Sequence, residues 1–310
     1  MYYFAMTPKM RGKIDFNTDD FAIVRDKPHS SIIFPDYNRA KSFPNGTTTL
    51  ILKDFPLHPN YVGFDIGCGY NFFELDNDIL KKGKIKKQKL GRLIDTFEKS
   101  RDGVIGGGNH FVDILTDGQR LYGLIHSGSG KFGWETTQKL HNLEKESDYN
   151  TDFLRLFNRA VEEAYQNREK LRSRFPESKL LFDKPHNLIT EEESYFVIQK
   201  GTQRIEPGER IVIPGNGRDG VYIVEGTNSL NQTRNTINHG CGRKFSRTSA
   251  RNKFSRDDVQ SQFGNIILNR PLNEYVEESP LAYRKLDDVI ESIAEYVKPI
   301  QKLQVLAFLR

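Results

Sequence analysis

The chain has 310 residues, a formal charge of +5 and 28% charged residues. No stretch reaches the roughly 18 consecutive apolar residues of a membrane-spanning helix, so no membrane association is expected. The N-terminal MYYFAMTPKMRGKIDF lacks an apolar run followed by a small-residue cleavage site, so no signal peptide is read and a cytoplasmic setting is expected.

In chain order, TTTLILKDF (47–55) reads as a buried strand, because β-branched and apolar residues run together. KKGKIKKQKLGR (81–92) is the densest basic run; such runs are mostly wet helix faces or loops, with phosphate contact the minority reading. FVDIL (111–115) and LYGLIH (121–126) read as strands. A helix is expected from about Thr151 to Arg174, with Leu154, Phe157, Val161, Ala164 and Leu171 as its inward stripe. SYFVIQK (194–200), RIVIP (210–214) and VYIVEG (221–226) add strands, and a second helix is expected from about Leu286 to Tyr296, with Val289, Ile290 and Ile293 inward. Strands and helices intersperse without a repeat or a Pro/Gly/Ser-rich linker, which predicts an α+β class and one catalytic domain over 1–310. The mild basic excess suits a solvated surface, and would also suit RNA.

Chemistry concentrates in the histidines. His29, His58 and His141 lie in ordinary surroundings, whereas His110 (GGGNH), His126 (IHSGSG), His186 (KPHNL) and His239 (NHGCG) sit among small and amide residues. Small neighbours let backbone or ligand approach an imidazole closely. In FDIGCGY, Asp65 follows apolar residues and is expected at the end of a buried strand, with Cys68 three residues on across a glycine turn. Carboxylate, thiolate and imidazole together suit Mn, Fe, Co or Zn without selecting among them. Asp65 could equally be a turn cap and Cys68 a small buried hydrophobe. With only Cys68 and Cys241 present, free thiols are favoured over a disulfide.

Taken in order, these motifs resemble the RtcB family of GTP-dependent RNA ligases from about Phe34 to Arg310. PDYNRAKSFPNG (35–46) is similar to the family's PDVHPGKGLPIG, with Asn38 in place of a histidine. GFDIGCGY is similar to GxDIxCG, GVIGGGNHFVDI (103–114) to GTLGxGNHFxEI, IHSGSG to the start of HSGSRGLG, and KPHNL to PHN. NHGCGRKFSRTSA (238–250) resembles CHGAGRxMSRxxA, and EESPLAYRKLDDVI (277–290) resembles EEAPEAYKDVDEVV.

The resemblance implies an RtcB-type fold of mixed sheets with surrounding helices. It implies two Mn²⁺ held by Asp65, Cys68, His110, His126 and His186, with Cys68 bridging, and GTP as the nucleotide. His239 falls on the histidine that becomes guanylylated, which requires a neutral ring with one free nitrogen. Nucleotide-binding positions carried over are Asn109, His110, Phe111, Asp113, His186, Asn187, Pro214, Gly215, Gly240, Cys241, Gly242, Tyr283 and Arg310. Asp36, Lys131, Lys200, Arg243 and Arg247 are expected at RNA or phosphate. The implied substrates are RNA ends bearing a 3′-phosphate or 2′,3′-cyclic phosphate and a 5′-hydroxyl, in RNA repair or tRNA splicing. The compact length is compatible with a shorter branch associated with a release-factor-like protein.

The chain departs from the family at several points. Gly130, followed by Lys131, replaces the HSGSR arginine; Val221 replaces a serine of the guanine loop; Cys241 replaces an alanine; and Arg310 stands where the family ends in lysine. The lost arginine motivates an alternative, an enzyme that caps or dephosphorylates RNA ends without sealing them. A non-catalytic RNA- or nucleotide-binding protein ranks last, because all five ligand positions and His239 are filled.

Overall fold

The computed structural model describes residues 1–39, 43–75, 79–81 and 84–310. Its strands are β1 (Tyr2–Phe4), β2 (His29–Asn38), β3 (Asn45–Leu52), β4 (Gly69–Leu75), β5 (Leu80–Lys81), β6 (Lys84–Ile85), β7 (Phe111–Thr116), β8 (Leu121–Ser127), β9 (Lys179–Pro185), β10 (Asn187–Glu191), β11 (Tyr195–Lys200), β12 (Thr202–Arg204), β13 (Arg210–Pro214), β14 (Val221–Gly226), β15 (Thr236–Asn238), β16 (Ile267–Leu268) and β17 (Val297–Leu309). The helices are α1 (Pro8–Arg11), α2 (Lys87–Lys99), α3 (Gly130–His141), α4 (Tyr149–Ser173), α5 (Arg247–Lys253), α6 (Arg256–Phe263) and α7 (Leu286–Ser292).

Two sheets dominate this α+β architecture. One has the order β1-β2-β3-β11-β10; the other runs β13-β14-β17-β7-β8-β4-β9, with β16 attached to β17. The first sheet is covered on both faces. One face meets Phe153, Phe157 and Ala160 of α4, and the other meets Leu286, Val289 and Ile290 of α7. Burial on both sides explains the run of threonines in β3. Their hydroxyls pair with neighbours on other strands inside the fold: Thr49 with Ser31 at 2.8 Å, and Thr48 with Thr202 at 2.9 Å and Thr236 at 3.0 Å.

All six expected strands form. β2 was not evident in the sequence because Pro35 interrupts it. Its pairing with β3 shifts register between Ile33 and Asn38, so the missing proline N–H breaks no ladder bond, and the irregular segment carries Asp36. Each helix differs from its expectation in detail. α4 buries Phe153, Phe157, Ala160, Ala164, Arg168 and Leu171, leaving Leu154 and Val161 only partly covered. The rotation brings Ala164 against the Gly67 turn, where an added Cβ would lie 2.9 Å from the Ala164 methyl. α7 stops at Ser292 instead of reaching Tyr296, although Ile293 and Tyr296 stay buried. The basic run at 81–92 enters α2 at Lys87; its Lys82 and Gly83 lie outside the described residues. Among the described residues, no helix is long and apolar enough to cross a membrane.

Candidate active site

Four neighbouring strands bring the ligand candidates to one end of a sheet. Their order is β7-β8-β4-β9, each antiparallel to the next. His110 directly precedes β7, His126 is next to last in β8, Cys68 directly precedes β4 and His186 directly follows β9. Alternating strand direction puts those four ends side by side. Pairings of Tyr70 and Phe111 with His126, and of Gly69 with Pro185, fix the register. The His186 N–H donates to the Cys68 carbonyl at 2.7 Å, drawing the end of β9 onto the start of β4.

The donor atoms form a row. Cys68 Sγ lies 3.2 Å from His110 Nε2 and 3.2 Å from His126 Nε2, and His126 Nε2 lies 3.1 Å from His186 Nε2. Cys68, His110 and His126 satisfy metal-binding spacing as a group, and His186 joins through His126. Donors sharing one ion at about 2.0–2.3 Å stand roughly 3.3–3.8 Å apart in a tetrahedron. The observed spacings of 3.1–3.2 Å lie just below that range's lower edge, so a small outward movement of the side chains would admit a transition metal. All four side chains are buried. Burial lowers the pKa of His110 and holds His126 and His186 well below the ordinary histidine value, which leaves neutral, ligand-competent rings. Burial, followed by the charge of Asp65, pushes the Cys68 thiol up; a bound cation would favour the thiolate.

Asp65 departs from its expectation. It lies in a turn before β4, not at the end of a strand, and it is exposed. Of the apolar residues preceding it, Tyr61 and Val62 belong to a 3₁₀ turn and its exit, which bury them without extending the chain, while Phe64 is exposed. The Asp65 backbone carbonyl accepts from the Cys68 N–H and from Asn187 Nδ2, both at 3.1 Å, and the residue faces the cavity.

His239 follows β15, and its N–H donates to the Gly201 carbonyl at 3.1 Å. Its Nδ1 lies 2.7 Å from Asp36 Oδ2 and 2.8 Å from the Gly201 carbonyl. A carbonyl only accepts, so Nδ1 carries a proton, and no hydrogen-bond partner among the described residues engages Nε2. The His239 ring centroid is 4.6 Å from that of His186 and 6.1 Å from that of His126. The Tyr70 ring stacks against His239 at 6.4 Å and packs 4.8 Å from both His126 and His186.

These groups open onto a cavity of about 840 Å³. Its wall includes Asn109, Phe111, Asn187, Pro214, Gly215, Gly240, Cys241, Gly242, Tyr283, Arg243, Arg247 and Lys131, so most of the expected nucleotide and RNA positions converge. Several others do not do what was expected. Asp113 lies one pleat beyond Phe111, buried off the wall, and burial raises its carboxyl well above the ordinary range. Lys200 is buried and donates to the Val62 carbonyl, with its pKa lowered to about 8 by burial, so it faces the fold and not RNA. Arg310 donates to the carbonyls of Glu274 at 2.9 Å and Gly108 at 2.6 Å, bracing the glycine loop from behind. Asp36 sits behind His239 with a fully buried side chain, where an anionic RNA contact is closed to it.

Asn187 has its amide committed to the Gly201 N–H and the Asp65 carbonyl. Arg243 is likewise spent internally, donating to the carbonyls of Phe245 and Glu277, to the Glu278 carboxylate and to the Tyr283 hydroxyl. Arg247 keeps 40% side-chain exposure beside the cavity, and Lys131 is 87% exposed at the rim. Sequence reasoning passed over Glu278, which is buried and joins Arg243, Arg247 and Tyr283, and Tyr70, whose signal was its place two residues after Cys68 on the same strand face.

A family model described as tRNA-splicing ligase RtcB matches residues 134–310, more than half of the chain. His186 and His239 fall inside that match; Asp65, Cys68, His110 and His126 precede it. An Escherichia coli protein called RNA-splicing ligase RtcB2 is 25% identical, covering 87% of this chain and 85% of its own length. A Nanoarchaeum equitans tRNA-splicing ligase RtcB is 22% identical, covering 84% of this chain and 83% of its own length. The E. coli RNA-splicing ligase RtcB is 24% identical over 70% of this chain, which spans 63% of that relative.

Proposed function

Because the chain belongs to the RtcB family, we propose that it is an RNA ligase that joins a 3′-phosphate or 2′,3′-cyclic phosphate end to a 5′-hydroxyl through a guanylylated His239. The observation that carries this reading is the pinned imidazole: Asp36 and Gly201 hold Nδ1–H, while Nε2 stays free beside a row of metal-ligating side chains. The whole chain, 1–310, is taken as one catalytic domain, since the site draws on segments from Asp36 to Tyr283.

His239 Nε2 would attack the α-phosphorus of GTP, forming a P–N bond as the bond to the β-phosphate oxygen breaks and pyrophosphate leaves. Water would first open a 2′,3′-cyclic phosphate, adding to phosphorus as the bond to O2′ breaks and O2′ takes the proton. The RNA 3′-phosphate oxygen would then take the GMP and return the electron pair to Nε2. Finally the 5′-hydroxyl would attack the activated phosphate, losing its proton and expelling GMP. Asp36 stabilises the positive charge that grows on the ring in the first step and keeps the tautomer correct in each. Asp65, Cys68, His110, His126 and His186 would hold two divalent ions, Mn²⁺ by the resemblance. Such ions neutralise phosphate charge and orient the attacking and leaving oxygens. Pro214, Gly215 and Tyr283 support a base subsite in the wall, and Arg247 and Lys131, exposed although each is paired with a glutamate, are cations that could turn towards RNA. A cytoplasmic role in RNA repair or tRNA splicing, with coupling to a release-factor-like protein, belongs to the same proposal.

Radiolabelled GTP with Mn²⁺ is expected to label the protein covalently, and His239→Ala is expected to abolish the label. Absence of label from any nucleoside triphosphate on the wild type overturns the proposal. A second reading, capping without sealing, is favoured by Gly130. That position sits at φ +56° in open space with no side chain to reach an RNA end, and the neighbouring Lys131 already pairs with Glu135 at 3.6 Å. Capped 3′ ends that never join a 5′-hydroxyl acceptor would select that reading.

A further inference from the structure

The four buried ligands arrive on four separate strand ends, and one helix touches every one of those segments. Arg168 of α4 is fully buried. Its Nη1 donates to the Gly67 carbonyl at 2.7 Å, one residue before Cys68, and to the Ser127 carbonyl at 3.0 Å, one residue after His126. Its Nε donates to both oxygens of Asp183, at 2.8 and 3.1 Å, and Asp183 lies on β9 three residues before His186. Asp183 also accepts from Asn71 Nδ2 on β4 at 2.9 Å, which closes the brace across two ligand-bearing strands.

The preceding residue takes the remaining segment. Asn167 Oδ1 accepts the Val104 N–H at 2.7 Å, and its Nδ2 donates to the Val104 carbonyl at 2.8 Å. The same Nδ2 reaches Ser127 Oγ and the Gly128 carbonyl, both at 2.9 Å. Val104 begins the glycine-rich loop that ends at His110, and Ser127 Oγ donates onward to the carbonyls of Val104 and Ile105.

A guanidinium is a costly group to bury beside a site destined for cations. Helix packing alone would be met by an apolar residue, as at Phe157, Ala160, Ala164 and Leu171 on this face of α4. A planar fork, however, reaches two carbonyls and a carboxylate at once, with its geometry preset. We propose that Asn167 and Arg168 are positioning residues for the metal centre, holding the segments of Cys68, His110, His126 and His186 in ligating geometry from one turn of α4. This rests on the reading of those four residues as metal ligands.

Cobalt(II) binding tests it in the full-length protein, because the thiolate-to-cobalt charge-transfer band and the ligand-field bands report ligation without any reference to activity. Arg168→Lys keeps the charge opposite Asp183 but loses the fork. Asn167→Asp keeps the size but turns a donor into an acceptor facing carbonyls. Each is expected to weaken cobalt affinity by about 10- to 100-fold and to alter the ligand-field bands, while circular dichroism remains that of the wild type. If Arg168→Lys fails to fold, Asn167→Asp decides by the same measurements. Wild-type affinity and spectra in the folded variants overturn the proposal alone. A wild type with no thiolate–cobalt band overturns the metal-centre reading and this proposal with it.

Discussion

Asp36 Oδ2 lies 2.7 Å from His239 Nδ1, and the carboxylate that makes this contact has no solvent exposure. Two glycines permit the approach: a Cβ at Gly46 would lie 2.5 Å from Asp36 Oδ1, and one at Gly242 would lie 2.6 Å from the Asp36 Cα. Orientation of the histidine is therefore built into the irregular segment of β2, and into the start of β3 and the segment after His239 that enclose it.

Replacing that carboxylate tests the tautomer directly. In Asp36→Asn the amide can present its NH₂ to the ring, which favours the proton on Nε2 and blocks the attacking nitrogen. Labelling of His239 by GTP is expected to slow by about 10²- to 10⁴-fold, the span associated with a lost general acid–base partner. Stopped-time labelling assays at saturating GTP measure this. A rate within a factor of two of the wild type would mean that the Gly201 carbonyl alone sets the tautomer.

Gly201 supplies the second acceptor and cannot take a side chain. Its φ is +68°, and an added Cβ would stand 3.0 Å from His239 Nδ1 and 3.2 Å from the Gly46 nitrogen. Gly201→Ala is expected to cost about 1–2 kcal/mol in backbone strain alone. It is also expected to displace the imidazole, so the labelling rate should fall further than stability accounts for. Urea unfolding and labelling on the same preparation separate the two effects.

How much of this was legible beforehand depended on where the deciding contacts lie. Strands such as β3, β8 and β13 announce themselves because both faces are buried and apolar residues run continuously. β17 was missed because its exposed charges, Lys298 and Lys302 among them, break up the apolar alternation. The convergence of Cys68 with His110 and His126 was legible from their glycine and amide neighbours, since those neighbours make the tight turns at strand ends. The Asp65 turn was not, because apolar residues before an aspartate look alike in a strand and in a 3₁₀ turn. Nor could the sequence separate Arg243 from Arg247, because Glu278, which engages both, comes about thirty residues later and its burial is a tertiary event. The gap in the expected stripe of α4, between Ala164 and Leu171, was the one trace of Arg168.

The two arginines should behave differently. Glu278 is 2% exposed in its side chain and bonds Arg243, Arg247 and the Tyr283 hydroxyl. Arg243→Ala leaves that carboxylate short of its buried partner and is expected to destabilise the fold by about 3–5 kcal/mol in urea titrations. Arg247→Ala, at a half-exposed site, is expected to change stability by less than about 1 kcal/mol. Its effect should instead appear in affinity for RNA ends, with a shallower dependence on salt because one phosphate contact is lost.

His58 gives the pH prediction. Burial first, then the nearby His141, Lys27 and Lys145, lowers its pKa from 6.5 to about 4. Between those values the unfolded chain binds a proton that the native state refuses. Its contribution is therefore fully present above pH 6.5 and is lost as pH falls towards 4. Screening at this half-buried site reduces the effect to about 1–2 kcal/mol. His58→Asn keeps an acceptor for the Asn60 N–H, which His58 Nδ1 now receives at 3.1 Å, but cannot titrate. Urea midpoints measured from pH 7 to pH 4 should fall less steeply in the variant than in the wild type. Parallel profiles would show that His58 is protonated in the folded protein across this range.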